Sequence, residues 1–208
     1  MPITLTDSIA DIQRNINDAI SKHINTKLRT GHTQFLSRIN NLIPSWISSQ
    51  PEIISLQSRG VESLIGQFGI DQDTLSIISS IIISVTSSTA VSFTPYDNNL
   101  NGSFTLSCQP NNFANLLMLP TGHVNYKDGD LHWMDWLLTR GDMIIVSGYE
   151  YNPQTGLGRS GLGNMIRGTS FRVPPEFAGV ASNNFITRAL SGPLVEQEIS
   201  QIFKDILG

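Results

Sequence analysis

The fold of the first part of the chain is decided by residues 9–28, which read IADIQRNINDAISKHINTKL. Apolar residues recur there at spacings of three or four, and this pattern places them on one face of an α-helix. Thr6 or Asp7 precedes the run and is expected to cap the helix, because a short polar side chain accepts hydrogen bonds from the first free N–H groups. The stripe consists of Ile9, Ile12, Ile16, Ile20, Ile24 and Leu28, whereas Asp11, Arg14, Asn15, Asp18 and Lys22 fall off it.

Three more helical segments are predicted before residue 88. A second apolar stripe runs from Phe35 to Trp46, and Pro44 is expected to kink or end it because proline has no N–H to donate. A short helix is expected over residues 61–68. Another helix follows Asp71 or Asp73, with Leu75, Ile78, Ile82 and Val85 on one face. Because Ile77, Ile81 and Ile83 place apolar groups on its other faces too, we expect this helix to be buried.

The chain changes character near residue 88. Four of the 17 glycines and none of the four tyrosines come before this point. Residues 91–95 and 104–108 then alternate between apolar and polar types on either side of the turn-forming residues 97–102, which predicts a β-hairpin. We therefore expect an α+β protein with a helical N-terminal region, residues 1–88, and a small antiparallel β-core with a C-terminal helix, residues 89–208. One continuous domain is the alternative.

Further elements are expected in the second part. Asp130 is placed to cap an amphipathic helix over residues 131–139, which Gly141 would end. The last helix has Pro193 in its first turn and an apolar stripe of Val195, Ile199, Ile202 and Ile206. The remaining expectations are an apolar run over 113–119, a strand over 143–151, a helix or strand over 162–173, and a short helix over 185–190.

Charge is scarce in this chain. Charged residues make up 14% of it, against roughly 25% in ordinary soluble domains. Because surface charge keeps free proteins apart, this composition favours a subunit whose surface is covered by partners. A composition that is merely rich in Ser and Asn is the alternative. The net charge is -4 and the basic residues are scattered, which excludes the basic stripe of a sequence-specific DNA binder.

The expected location follows from what the sequence lacks. Cys108 is the single cysteine, so one chain holds neither a disulfide nor a cysteine-based zinc site. Residues 1–10 lack the basic start and apolar stretch of a signal peptide. The most apolar window, residues 75–85, is far shorter than the roughly 20 residues of a membrane span. We expect a soluble protein made in a reducing cytoplasm, without a membrane partner.

The motifs that resemble catalytic or binding sites are incomplete. Residues 156–161 match G-x-G-x-x-G, but Gly163, Gly168 and Pro174 follow too closely for the long helix that a dinucleotide site needs. A flexible glycine turn is the better interpretation. Ser160 lacks the final glycine of a nucleophile elbow. His132 and Asp135 lie three residues apart, and with His123 they leave a small hydrolase as an alternative. We predict no catalytic residue, no cofactor and no metal site, and therefore no enzyme.

Four segments in the C-terminal half carry a family resemblance. They are WMDWLLTRGDMIIV at 133–146, GRSGLGNMI at 158–166, FRVPPEFAG at 171–179 and NNFITRAL at 183–190. Together they resemble neck and tail-completion proteins of virion morphogenesis in tailed bacteriophages, over roughly residues 130–207. The chain departs from the family pattern at Asn184, where proline is common, and in a displaced serine after Gly158.

The resemblance implies a structural role. Such proteins combine a small β-core with a long N-terminal helix and a C-terminal helix, carry no catalytic residues, and assemble as rings at the head–tail junction. We therefore expect a virion protein of the neck, head–tail connector or tail terminus, assembled in the host cytoplasm. A baseplate or tube-initiating tail protein is the alternative within the virion. The expected partners are copies of the chain in a ring, neighbouring neck or tail proteins, and DNA passing non-specifically through the lumen.

Six residues are predicted to form the interface between subunits. Tryptophan is enriched at the energetic centres of interfaces, although packing in the core is the alternative for a pair three residues apart. Arginines in this half of the chain would pair with acidic groups of a neighbour or contact DNA phosphates. The predicted interface residues are Trp133, Trp136, Arg159, Arg167, Phe177 and Phe185.

Overall fold

A computed structural model describes residues 7–58, 60–126, 129–154 and 158–208 of the 208-residue chain. It confirms the α+β class: a long N-terminal helix, small antiparallel sheets and a C-terminal helix. Within the described ranges no helix has both the length and the apolar character that crossing a membrane requires.

The first helix has 40 residues, and the other described helices and strands have 15 or fewer. The helices are α1 (Ile9–Ser48), α2 (Pro51–Gln57), α3 (Leu64–Phe68), α4 (Thr74–Ser88), α5 (Ala114–Leu117), α6 (Trp133–Asp135, continued by a π-helical turn over Trp136–Arg140), α7 (Phe185–Leu190) and α8 (Pro193–Leu207). The strands are β1 (Ala90–Thr94), β2 (Ser103–Ser107), β3 (Val124–Tyr126), β4 (Gly129–Leu131), β5 (Val146–Asn152) and β6 (Asn164–Phe171). They pair as antiparallel hairpins, β1 with β2, β3 with β4 and β5 with β6.

The two predicted N-terminal helices form one continuous helix, α1. Its cap is Ser8, whose Oγ accepts a hydrogen bond from the Asp11 N–H at 3.2 Å, in place of the predicted Asp7. The other predicted cap, Thr6, lies outside the described residues. Pro44 does not end the helix, because α1 runs on to Ser48, and the alternative that Pro44 kinks the helix stays a prediction. Trp46 and Ile47 are buried in this last turn, and their packing compensates for the missing proline hydrogen bond.

The chain divides into two compact units. Unit 1 comprises residues 7–41, 89–107 and 197–208 of the described chain, and unit 2 comprises residues 42–88 and 108–196 without the undescribed positions. Helices α1 to α4 all precede residue 89 and β1 follows it, yet each unit combines segments from both sides of that point. The division into domains at residue 88 stays a prediction.

Unit 1 packs the first helix against the β1–β2 hairpin and the last helix. The rings of Phe35, Phe104 and Phe203 meet edge to face, with centroids 4.9 Å apart for the first two and 5.1 Å apart for the last two. The Asn25 side chain donates to the Tyr96 carbonyl oxygen at 2.9 Å and accepts from the Tyr96 N–H at 2.8 Å. These contacts fix the hairpin predicted from residues 91–108 on the surface of α1.

Unit 2 is built around a larger apolar core. Aromatic rings form its centre, with Phe68 6.1 Å from Trp133 and 6.4 Å from Phe171. The Glu52 carboxylate is fully buried there and is paired with Arg188. The fully buried apolar side chains include Ile43, Ile47, Ile53, Leu56, Leu64, Ile77, Ile81, Leu137, Leu138 and Phe185.

The helix α4 is less buried than its sequence predicts. Its packed face consists of Ile77, Ile78, Ile81 and Val85, whereas Leu75 is 69% exposed. The predicted face, which included Leu75, is therefore wrong by part of a turn. Because α4 carries apolar residues on all its faces, its sequence pattern does not indicate which face is packed.

Asp130 does not cap a helix. It lies in β4 opposite Asn125 of β3, and its carboxylate accepts a hydrogen bond from His123 at 2.6 Å. The helix begins two residues later than predicted, at Trp133, and ends at Gly141 as expected, where φ is +65°. Strand pairing over residues 129–131 has overridden the local helical pattern.

The remaining elements agree with the sequence in type. The ambiguous segment 162–173 is a strand over Asn164–Phe171, and β5 begins at Val146, three residues after the predicted start. The helices at 185–190 and from Pro193 are confirmed.

Candidate assembly surface

The first half of α1 exposes the isoleucine stripe that its sequence predicts. Ile9 is 81% exposed, Ile16 53% and Ile20 40%, while Ile12 is half-buried. The buried line of α1 in unit 1 starts at Ser21 and continues through Leu28, the last residue of the predicted stripe, and through Phe35 and Ile39. The exposed isoleucine stripe is therefore the first part of the predicted one, Ile9 to Ile20. The stripe therefore belongs to a stretch of helix that projects ahead of the packed part of α1.

The charges on this half of α1 do not belong to the stripe. Arg14 pairs with Asp11 at 2.8 Å, and Lys22 pairs with Asp18 at 2.6 Å. These pairs link residues three or four apart on the side of the helix away from the isoleucines, and they stabilise the exposed helix by a few tenths of a kcal/mol each, roughly 0.2–0.5. The helix face that carries the isoleucines from Ile9 to Ile20 therefore has no acidic or basic side chain.

A shallow apolar groove of about 340 Å³ lies elsewhere on unit 1. Strand β2 forms one wall with Phe104 and Leu106, which point to the same side because they are two residues apart. Helix α8 forms the other wall with Ile199 and Phe203, and these four wall residues are each half-buried. The groove is lined by Phe35, Phe104, Leu106, Ile199, Ser200, Phe203 and Lys204.

Two of the predicted interface residues lie inside the core. Trp133 and Phe185 are fully buried in unit 2, and the Trp133 indole N–H donates to the Thr121 carbonyl oxygen at 3.0 Å. These two assignments are corrected, since a side chain with no accessible surface offers nothing to a neighbour. Trp136 and Phe177 are half-buried and Arg167 is exposed.

Arg159 is exposed but already engaged within unit 2. Its guanidinium pairs with Asp71 at 2.8 Å, donates to the Asn125 carbonyl oxygen and lies 5.7 Å from the centroid of the Tyr126 ring. A polar cleft of about 430 Å³ opens beside this ion pair and is lined partly by Ser160. These contacts hold the guanidinium against unit 2 and use part of its donors.

The segments that carry the family resemblance pack on one another in unit 2. The Gly141 N–H donates to the Gly179 carbonyl oxygen at 2.8 Å, and the Asn184 Nδ2 donates to the Leu138 carbonyl oxygen at 3.1 Å. A side chain at position 179 would overlap the Leu137 carbonyl oxygen. Gly141, Gly179 and Asn184, which lie in these segments, thus contribute to the internal packing of unit 2.

The glycine-rich segment forms a tight turn over the part that is described. The Gly158 N–H donates to the Gly163 carbonyl oxygen at 2.7 Å, and the Gly161 N–H donates back to the Gly158 carbonyl oxygen at 2.9 Å. Strand β6 follows at Asn164, so no helix opens after the turn. Gly156 and Leu157, the first two positions of the motif, lie outside the described residues.

The histidines of the hydrolase alternative form a stacked pair. The rings of His123 and His132 lie 3.9 Å apart and 12° from parallel, and His123 Nδ1 is 2.6 Å from the Asp130 carboxylate. Burial of His132, together with the neighbouring His123, lowers its pKa below the ordinary value, and its Nε2 is buried without a hydrogen-bond partner. These contacts join the two rings to each other and His123 to one carboxylate, and none of them involves a nucleophile.

Asp135 and Ser160 do not join the histidines into a catalytic arrangement. Burial would raise the pKa of Asp135, but hydrogen bonds from Thr139 and Arg140 outweigh burial and hold it below its usual value. Neither His132 nor Asp135 is among the residues that line the cleft containing Ser160. Within the described ranges no group of three or more histidine, cysteine or acidic side chains is placed to hold a metal ion.

Comparisons of the chain with protein-family models, curated proteins and solved structures find no match. No residue role is therefore transferred from a relative. The isoleucine stripe of α1 leaves three large apolar side chains, Ile9, Ile16 and Ile20, exposed to solvent on one face of a helix.

Proposed function

We propose that the chain is a non-enzymatic structural subunit that assembles with copies of itself through the isoleucine stripe of α1. Within a virion of a tailed bacteriophage it would form part of the neck, the head–tail connector or the tail terminus. The observation that carries this proposal is the exposure of Ile9, Ile16 and Ile20 in one line. A line of exposed large apolar residues marks a surface that another protein covers.

The energetics of the stripe are of the right order for assembly. Complete burial of one isoleucine contributes roughly 2 kcal/mol. The exposed fractions of Ile9, Ile16 and Ile20 are together equivalent to about 1.7 side chains, so their burial contributes about 3.5 kcal/mol per contact. Association costs at least about 4 kcal/mol in lost translational and rotational freedom. The stripe alone is therefore marginal, and stable assembly requires a matched surface on the partner. In a ring each subunit makes the contact twice, which adds to its stability.

Composition and resemblance support the same role. Only 14% of the residues are charged, and a surface with so few charges is better tolerated when neighbouring subunits cover it. The resemblance of residues 130–207 implies ring assembly at the head–tail junction. Neck or tail proteins on either side, and DNA passing through the lumen, are the further partners of such a ring.

A pair of variants on one helical turn tests self-assembly. Ile16→Glu places a carboxylate within the stripe, whereas Asn15→Glu places one on the adjacent exposed position off the stripe. Multi-angle light scattering during size-exclusion chromatography should give one closed oligomer for the wild type and for Asn15→Glu, and a monomer for Ile16→Glu. Equal masses for all three proteins would refute the role of the stripe.

The place in the virion is tested separately. Immunogold labelling of purified particles, from the phage that encodes the chain, should mark the head–tail junction or the tail end. Label on the baseplate would favour the alternative tail role. Absence of the chain from washed particles, checked by mass spectrometry, would contradict a virion role altogether.

A further inference from the structure

We infer that the isoleucine stripe of one copy docks into the apolar groove between β2 and α8 of the next copy, so that subunits join head to tail. This inference rests on the proposed function and names the partner surface that it requires. The stripe is convex, the groove is concave, and both belong to unit 1. An amphipathic helix that lays its apolar face into a groove is a recurrent mode of protein recognition.

The two surfaces match in polarity. Between Ile9 and Ile20 the stripe is flanked by uncharged side chains such as Gln13 and Asn17. The groove offers the half-buried walls described above, with Ser200 and Lys204 as its polar residues. Docking would bury no carboxylate, and the Lys204 ammonium can remain in water because its long stem reaches past the rim. The contact therefore avoids the cost of burying an unpaired charge.

A stripe cannot reach the groove of its own chain. Phe35 forms part of the groove lining and lies on the same continuous helix as Ile20. The helix rises about 1.5 Å per residue, so positions 20 and 35 are roughly 22 Å apart along a rigid rod. The distance from Ile9 or Ile16 is larger still. A stripe that occupies the groove must therefore come from a second copy.

Contact between two different surfaces has a consequence for assembly. Each copy has one stripe to donate and one groove to accept, so every added subunit leaves a stripe free at one end and a groove free at the other. Such head-to-tail contacts close into a ring when the rotation between subunits allows it. A symmetric pairing of stripe with stripe would stop at two subunits and leave every groove open.

Disulfide cross-linking tests the docking directly. In a Cys108→Ala background, which removes the single native cysteine, one variant carries Ile16→Cys and a second carries Ile199→Cys. Mixed under mild oxidation, the two should form a cross-linked dimer, whereas neither should cross-link alone. A single chain carrying both substitutions should give a ladder of linked oligomers. Leu106→Cys on the opposite wall replaces Ile199→Cys if circular dichroism shows that the latter fails to fold.

The control and the contrary outcomes separate this inference from the proposed function. Asn15→Cys, off the stripe, should give less than about a tenth of the cross-linked product of Ile16→Cys with the same groove partner, because its thiol faces away from the groove. Groove docking would be overturned if Ile16→Cys cross-linked with itself. It would also be overturned if the protein were oligomeric but no mixture of variants cross-linked. Either result would leave self-assembly standing. A wild-type protein that is monomeric by light scattering would overturn both.

Discussion

The side chain of Asn184 is fully buried and bonds in two directions. Its Oδ1 accepts from the N–H groups of Ile186 and Thr187 at 3.1 and 3.0 Å, which caps α7. Its Nδ2 donates to the carbonyl oxygens of Leu138 and Val180 at 3.1 and 3.0 Å. Asn184 thus joins the start of α7 to residues 138 and 180 of unit 2.

Asn184→Ala is expected to lower the free energy of unfolding by about 2–4 kcal/mol, because the cap is lost and buried carbonyl groups lose their donor. Urea denaturation followed by circular dichroism measures the change. Asn183→Ala is the matched control, since Asn183 is exposed and its side chain accepts a hydrogen bond from the exposed Arg188 guanidinium. A loss for Asn184→Ala no larger than that of the control would show that water replaces these hydrogen bonds.

The stacked histidines make stability depend on pH. Burial and His123 lower the pKa of folded His132 below the ordinary value of 6.5, while Asp135 and Asp130 oppose the shift and Arg140 adds to it. The unfolded chain thus takes up a proton at this ring at higher pH than the folded protein does. The contribution to stability is complete above the unfolded pKa and is lost as the pH falls through that value toward the folded pKa.

His132→Phe should retain the ring stacked on His123 while removing the titrating group. Between about pH 7.5 and about pH 5.5 the variant should lose less stability than the wild type, since the unfolded-state pKa of histidine lies near 6.5. Urea unfolding at both pH values measures the difference. An identical loss in the two proteins would show that other groups carry the pH dependence.

At the scale of elements, the sequence predicts whether a segment is a helix or a strand better than it predicts the residues at which the element begins and ends. The stripe of Val195, Ile199, Ile202 and Ile206 and the capped segment 185–190 predict their helices because local pattern and packing agree there. The predictions fail where a tertiary contact overrides the local pattern, as at Asp130, which strand pairing removes from the helix. Pro44 fails as a helix end for the same reason, since Trp46 and Ile47 pack the turn beyond it.

The β1–β2 turn contains a strained position. Leu100 adopts φ of +62°, a left-handed conformation that costs a branched side chain roughly 1–2 kcal/mol, and asparagine tolerates it better. Leu100→Asn should therefore raise the free energy of unfolding by about 0.5–1 kcal/mol, measured as a higher urea midpoint. Leu100→Ala, which removes the same side chain but keeps the backbone cost, should give no increase. A lower midpoint for Leu100→Asn would mean that the Leu100 side-chain contacts outweigh the strain.

At the scale of the whole molecule, the sequence could not separate core from interface. Trp133 and Phe185 were expected at an interface and are buried, whereas Ile9, Ile16 and Ile20 show the same helical periodicity as core residues and are exposed. Periodicity reports which residues share a face, but it does not report what covers that face. Only the placement of α1 in unit 1 distinguishes the projecting stripe from the packed line that follows it.

The most direct test of self-assembly is the mass of the purified wild-type chain over a range of concentrations, by native mass spectrometry, with electron micrographs of the same sample. We expect a fixed multiple of the single-chain mass, seen as closed rings, that persists on dilution. A single-chain mass at every concentration would contradict the assembly of this chain with itself.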